Sequence, residues 1–277
     1  MTNLPIPQVN QHFIVEDKVM NTLLAITSTN GMNNVLITGP TGCGKTELAQ
    51  HVAAIQKRPF FCAIVSQLIE PIDLLGTKGV RNGATYFDDS MFVKAIQTDN
   101  TVICLDEINR CNSSLLNILI PILDHRGSMF VEELGREIRV GRNVMFIATA
   151  NIGSDFTGTF RLDEAIVSRF PYRFESNFLE EDDEARMLQA KTGCSNDSAT
   201  LLAKLGALLR SKAEDFSSGT LSRTISTRQL IATAQLCAVG VNIHDALDST
   251  VVPLYDEEGQ ENSERTQVNQ AIQLVCG

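Results

Sequence analysis

The sequence predicts an α/β fold: a buried parallel sheet with helices on both faces, followed by a smaller α-helical domain. Three observations predict it. The runs Val35 to Ile37, Phe60 to Val65, Thr101 to Leu105 and Val144 to Ala148 are short and apolar, without the alternation of a half-exposed strand, and so suit strands covered on both sides. Helical patterns separate them, at Lys45 to Ile55, Met91 to Gln97 and Ser113 to Leu123. Beyond Phe174 buried strands cease, and helical patterns continue to the end of the chain.

Each element has its own local signal. Val19, Leu23, Leu24 and Ile26 place a helix over Glu16 to Thr27, which Asn30-Gly31 then breaks. The first strand leads into Gly39, and the helix from Lys45 ends before Arg58-Pro59. Two segments depart from the strand-helix rhythm, Leu74 to Asp88 and Arg126 to Arg142, and both read as inserted hairpins. Asn82-Gly83 is a strong two-residue turn in the first, and Glu133-Leu134-Gly135 marks a weaker turn in the second. The acidic run Glu180 to Glu184 opens the helical part, with clear helices over Leu201 to Leu209 and Arg228 to Val239. Asp256 to Glu264 is a polar break before a last helix. The expected division is residues 1–175 and 176–277.

Composition excludes several classes. A chain of 277 residues with 43% hydrophobic and 20% charged residues is long enough for one large domain and one smaller one. Its net charge of −10 argues against a general affinity for nucleic-acid backbones. No apolar run approaches the roughly 20 residues of a membrane span, and the opening MTNLPIPQVN lacks the regions of a signal peptide, so a cytoplasmic protein is expected. Seven cysteines without a C-x-x-C pair read as reduced thiols, and the isolated histidines offer no zinc site.

Gly39-Pro40-Thr41-Gly42-Cys43-Gly44-Lys45-Thr46 matches G-x-x-x-x-G-K-[ST], with a strand before it and a helix after it as the motif requires. Glycines let the backbone N–H groups wrap phosphates, and the positive end of the following helix adds to the attraction. Lys45 is expected to hold the β- and γ-phosphates of a nucleotide, and Thr46 to give Mg²⁺ a hydroxyl ligand. About 60 residues on, Val102-Ile103-Cys104-Leu105-Asp106-Glu107 is an apolar strand ending in two acids. Asp106 is expected to orient the metal, directly or through water, and Glu107 to polarise the attacking water. The loop motif implies a nucleoside triphosphate and does not distinguish adenine from guanine.

The phosphate loop, DEINR at Asp106 to Arg110 and FIATAN at Phe146 to Asn151 together resemble the AAA+ ATPases. Within them the chain is most similar to the MoxR group, which includes CbbQ-like and cobalt-chelatase CobS-like ATPases. The resemblance spans Phe13 to Phe174 well and the remainder loosely. It implies a hexameric ring of identical subunits that remodels or activates a partner protein, often one with a von Willebrand factor A domain. It also implies that Asn151 senses the γ-phosphate, and that Arg169, with Arg161 as a second candidate, reaches into a neighbouring subunit's ATP. Arg228, or nearby Arg223, would contact the phosphates from the helical domain, which acts as a lid. His12, Phe13 and Ile14 correspond to an adenine-packing segment, and the two hairpins to inserts that face the pore or the partner. A nucleic-acid motor is the alternative, with Lys78, Arg81, Arg136, Arg139 and Arg142 as its basic residues, and a non-hydrolysing scaffold is the third reading.

Overall fold

Five parallel strands carry the first part of the chain in the computed structural model, which describes residues 4–29, 32–67, 70–81, 83–132, 135–151, 163–214, 221–257 and 263–277. Strands β1 (Val35–Gly39), β2 (Phe60–Ile64), β5 (Val102–Asp106), β8 (Met145–Asn151) and β9 (Tyr172–Glu175) lie in the order β2-β5-β8-β1-β9. The most central, β8, buries all seven of its residues, and Val102 to Leu105 of β5 are equally covered. These are the apolar runs of the sequence. From β1 the chain crosses to the far edge at β2, returns through β5 and β8, and places β9 on the other side of β1. The strand order therefore reverses beside β1, and the carboxyl ends of β1, β8 and β5 open on one crevice.

The strand β9 is an element that the sequence reading lacks. Its residues alternate half-buried Tyr172 and Phe174 with exposed Arg173 and Glu175, the pattern of a sheet edge and not of a buried run. Phe170, fully buried just before it, anchors the segment.

Helix α1 (Asp17–Ile26) buries Met20, Leu23 and Ile26, and α2 (Lys45–Ile55) buries Leu48, Ala49, Val52 and Ala53. The short α3 (Pro71–Leu75) precedes the first hairpin. Its strands β3 (Gly76–Arg81) and β4 (Ala84–Asp89) pair Arg81 with Ala84, which leaves a two-residue connection at positions 82 and 83. Then α4 (Met91–Ile96) is capped by the Ser90 hydroxyl and α5 (Ser113–Leu123) by the Asn112 side chain, each taking an amide three residues on. The second hairpin pairs β6 (Ser128–Val131) with β7 (Arg136–Arg139), and α6 (Glu164–Val167) follows β8.

By internal contacts the chain forms two units, one of Met1–Gln11, Val15–Gly39 and Gly44–Ser176, the other of His12–Ile14, Pro40–Cys43 and Asn177–Gly277. Among its described residues the second unit is helical: α7 (Glu181–Thr192), α8 (Asn196–Glu214), α9 (Thr227–Ala238), α10 (Ile243–Thr250) and α11 (Glu264–Cys276). Four acids fill the first turn of α7, where the helix field favours negative charge. Leu188, Leu202, Leu205, Leu209, Leu230 and Val268 belong to a core of its own, against which Ile14 packs. All seven cysteines are free thiols, and no described helix is long and apolar enough to cross a membrane.

One cation anchors the amino edge of the sheet. Arg58 is buried, and its guanidinium donates to the carbonyls of Asn100 (2.8 Å), Thr101 (3.3 Å) and Asn143. Two loops thus share one rigid donor. Arg58→Met should lower the unfolding free energy by about 2–4 kcal/mol, because the carbonyls lose their charged donor. Arg58→Lys, a single point donor, should recover less than half of that in denaturant titrations. A loss below about 0.5 kcal/mol, the range of an ordinary surface change, would show that the clamp is dispensable.

Candidate active site

The chain leaves β1 at Gly39, passes through Pro40, Thr41, Gly42 and Cys43, and enters α2 at Lys45. Gly42 and Gly44 adopt φ of +79° and +91°, conformations that strain any residue with a Cβ, so the turn depends on glycine at both positions. The first amides of α2 lack partners within the helix and give the loop its donors. Lys45 is 6% exposed, and its Nζ donates to the Gly39 carbonyl at 3.0 Å, so the ammonium folds back over its own loop. The Thr41 hydroxyl is buried without a hydrogen-bond partner. A loop with an unmatched hydroxyl and a buried ammonium fits a ligand rich in anionic acceptors.

Across the crevice, β5 ends on Asp106. Its Oδ1 accepts from the Thr46 hydroxyl at 2.7 Å and from the Thr149 hydroxyl at 2.5 Å. Thr149 lies on β8, the strand between β1 and β5, and its oxygen in turn accepts from the Glu107 amide at 3.0 Å. Glu107 itself is left-handed, with φ 58° and ψ 44°, a conformation uncommon outside glycine and concentrated at functional sites. Its carboxylate accepts from the Ser66 hydroxyl at 2.8 Å and from Asn151 Nδ2 at 3.4 Å, with the Arg110 guanidinium 3.8 Å away. Asn109 is buried and bonds both backbone groups of Asn151, donating to its carbonyl at 3.0 Å and accepting from its amide at 3.3 Å.

Lys45, Thr46, Asp106, Glu107 and Asn151 are therefore gathered at the carboxyl ends of β1, β5 and β8. Thr46 and Asp106 form a pair of hard oxygen donors. Mg²⁺ is commonly held by one or two such side chains with phosphate oxygens completing its shell. That fits a chain in which no group of three or more His, Cys, Asp or Glu among the described residues is arranged to hold a metal alone.

Arg169 bonds to none of these five residues. Arg169 follows α6, and its guanidinium donates to the Ala165 carbonyl at 2.8 Å and to Asp124 at 3.4 Å, while Asn34 Nδ2 bonds its carbonyl at 2.9 Å. Arg228 is exposed, the second residue of α9 in the helical unit. Arg161 lies outside the described residues. Ser66, Asn109 and Thr149 are site residues that the sequence reading passed over. Thr149 had a signal: it is a polar residue inside a wholly buried strand, on the same face as Asn151. Ser66 had none, since its place depends on where the end of β2 meets β5.

Comparison with known families agrees with this geometry. Residues 34–170 match the AAA domain of the dynein-related subfamily, and residues 184–272 match the CbbQ/NirQ/NorQ C-terminal family. The chain is 31% identical to BssE of Thauera aromatica, over 91% of this chain and 86% of that protein. The chain belongs to the MoxR-like AAA+ ATPases. Other members are 28% identical, among them NorQ of Paracoccus denitrificans, with 80% of each chain covered, and NirQ of Pseudomonas aeruginosa, with 80% of this chain and 84% of that one covered. Among solved structures, the RuvB Holliday junction branch migration motor of Thermotoga maritima superposes with a TM-score of 0.53 at 17% identity, covering 97% of this chain and 72% of that one. At that identity the likeness concerns the fold alone.

In a MoxR-like ATPase of this geometry, Thr149 joins the two acids. Thr149→Val keeps the side-chain shape but leaves the Glu107 amide without its acceptor and Asp106 short of a donor. A hydrogen bond to a charged group is worth about 1.5–3 kcal/mol, so ATP turnover should fall about 10- to 100-fold. Thr149→Ser should stay near wild type in a phosphate-release assay. Undiminished turnover in Thr149→Val would remove the bridge from the working site.

Proposed function

We propose that this MoxR-like ATPase assembles into a six-membered ring of identical subunits and couples Mg²⁺-dependent ATP hydrolysis to the remodelling or activation of a partner protein. The partner class is one carrying a von Willebrand factor A domain, met in the cytoplasm. The observation that supports this most is the Glu107 carboxylate, held by the neutral donors Ser66 and Asn151 beside the Thr46–Asp106 oxygen pair. It is an acid aimed by neutral hydrogen bonds, and its one ion pair among the described residues, to partly exposed Arg110, is long at 3.8 Å.

The residues divide the work. Amides from Gly39 through Thr46, with Pro40, Thr41, Gly42, Cys43 and Gly44 shaping the turn, take the phosphates, and Lys45 turns its ammonium to the β- and γ-oxygens. Thr46 and Asp106 hold Mg²⁺, which when bound neutralises charge on the phosphate oxygens. Glu107 polarises the attacking water, and Asn151 hydrogen-bonds the γ-phosphate. Arg228 approaches the phosphates from the helical unit, which serves as a lid. Arg169 reaches a neighbouring subunit's nucleotide, with Arg161 as the other candidate. The present ion pair of Arg169 with Asp124, at 3.4 Å, would be exchanged for that contact.

Two features of the hairpins favour a protein as the partner. Val80 and Phe130 are 74% and 63% exposed, one on each hairpin, Tyr86 of β4 is half-exposed, and Arg136 bonds Asp89 to tie the two hairpins together. Three of the basic residues that a nucleic-acid motor would use are matched by carboxylates: Arg136 by Asp89, Arg139 by Glu137 and Arg142 by Asp99. Such neutralised cations are poor ligands for a phosphate backbone. The relatives' names point the same way, since BssE carries a chaperone designation and NirQ is described as a denitrification regulatory protein.

Glu107→Gln should bind ATP with little change and turn over about 10²- to 10⁴-fold more slowly, the usual worth of a positioned base. Equal turnover would strip Glu107 of its role. For the finger, Arg169→Ala mixed with Lys45→Ala should regain activity that neither has alone, because losing an arginine finger costs about 10³- to 10⁵-fold. A mixture as inactive as its parts counts against a site shared between subunits.

A further inference from the structure

The helical unit contains a buried ion pair that the proposed chemistry does not use. Glu184 of α7 is 0% exposed and Arg210 of α8 is 6% exposed. They meet through two parallel bonds, Nη1 to Oε2 at 2.6 Å and Nη2 to Oε1 at 2.9 Å, with the Phe178 ring centroid 3.8 Å from the guanidinium carbon. Removing two charges from water costs several kcal/mol per ion, and such pairs often add no net stability over an apolar packing of the same volume. What this pair does have is direction.

Its remaining hydrogen bonds converge on one point, the start of α9. Arg210 Nε donates to the Ile225 carbonyl at 3.1 Å, and Nη2 reaches the Thr227 hydroxyl at 3.4 Å, which itself donates to Glu184 Oε1 at 2.8 Å. Between them, Ser226 caps the helix in a reciprocal box with Gln229. Residues 225, 226 and 227 are thereby held, and the next residue is Arg228. It is exposed, and no ion pair joins it to any of the described residues. Its cation sits in the first turn of a helix, where the field disfavours positive charge unless an anion is present. A free cation on a backbone fixed from behind is what a swinging lid needs.

We propose that Glu184 and Arg210 are positioning residues that set the start of α9, and through it the reach of Arg228 toward the nucleotide phosphates. The inference rests on the reading of Arg228 as a phosphate contact. The two α7 and α8 side chains touch no substrate. They convert the placement of the whole helical unit into the placement of one guanidinium, because α7, α8 and the start of α9 share a single network of bonds.

The test is a set of coupled variants in the full-length chain, with Mg·ATP as the probe. Arg228→Ala should raise the KM for ATP about tenfold, the worth of one charge-assisted hydrogen bond. Glu184→Gln, which keeps the shape and loses the charge, and Thr227→Val, which removes the linking hydroxyl, should each raise KM about threefold or more, with a smaller effect on kcat. Thr227→Ser should restore wild-type values, and neither change should add to the defect in the Arg228→Ala background. Thr227 lies at the margin of the network, so Thr227→Val carries the test if Glu184→Gln does not fold. Penalties that add fully in the Arg228→Ala background, or unchanged KM in Thr227→Val, overturn the positioning role and leave Arg228 intact. An Arg228→Ala protein with wild-type KM and kcat instead removes the phosphate contact, and the inference with it.

Discussion

A relay of hydrogen bonds from Thr46 to Asp106, back to Thr149 and on to the Glu107 amide is the interaction on which the site depends. It exists because β8 lies between β1 and β5. With β8 inserted, the Thr46 hydroxyl reaches Asp106 directly while Thr149 of β8 links Asp106 to the Glu107 amide, and the carboxyl ends of three strands become one surface. The fully buried character of β8 follows from that position, since a strand flanked on both edges and covered on both faces tolerates polar side chains only where they find partners. Thr149 and Asn151 find theirs in the two acids.

The backbone at Glu107 shows what the arrangement costs. A residue with a Cβ in the left-handed region is disfavoured by about 1–3 kcal/mol, and the bonds around it must hold it there. The Glu107 amide is tied to Thr149, and Asn109, two residues on, is tied to both backbone groups of Asn151. The turn is over-determined on both sides. It lets the two acids of an adjacent pair serve different partners: Asp106 faces Thr46, while Glu107 turns to Ser66 and Asn151.

Much of this was legible in the sequence, for reasons specific to particular residues. The loop from Gly39 to Thr46 is contiguous, its glycine positions carry backbone constraints, and the strand before it is fully apolar, so local pattern sufficed. The helices at Lys45–Ile55 and Ser113–Leu123 have the predicted bounds because a phosphate loop and the Asn112 cap fix where they start. The strand β9 was not legible because an edge strand shares its alternation with any half-exposed segment. Ser66 was not legible either, since its contact with Glu107 spans 41 residues and arises only from the pairing of β2 with β5. Arg58 read as a helix stop, whereas its burial and three carbonyl partners come from loops far along the chain.

The kinds of bond used in different places sort by whether the parts must move. Arg58 clamps loops, and Arg210 clamps the start of α9, with charged donors on rigid forks, which suits contacts that stay closed. At the active site, by contrast, Thr46, Ser66 and Asn151 approach the acids with neutral donors. Arg110, a cation 3.8 Å from Glu107, is partly exposed. A hydrogen bond from a neutral donor to a carboxylate contributes about 1.5–3 kcal/mol, less than the roughly 3–5 kcal/mol that breaking a buried ion pair costs, so each can be exchanged for a ligand contact within the energy of a binding event. A hydroxyl is also indifferent to direction. Thr46 can donate to Asp106 or offer its oxygen to a cation, and Ser66 can hold Glu107 or release it, without leaving a buried charge unpaired. The site is rigid in its backbone and exchangeable in its side chains, which is the combination that a cycle of binding, hydrolysis and release requires.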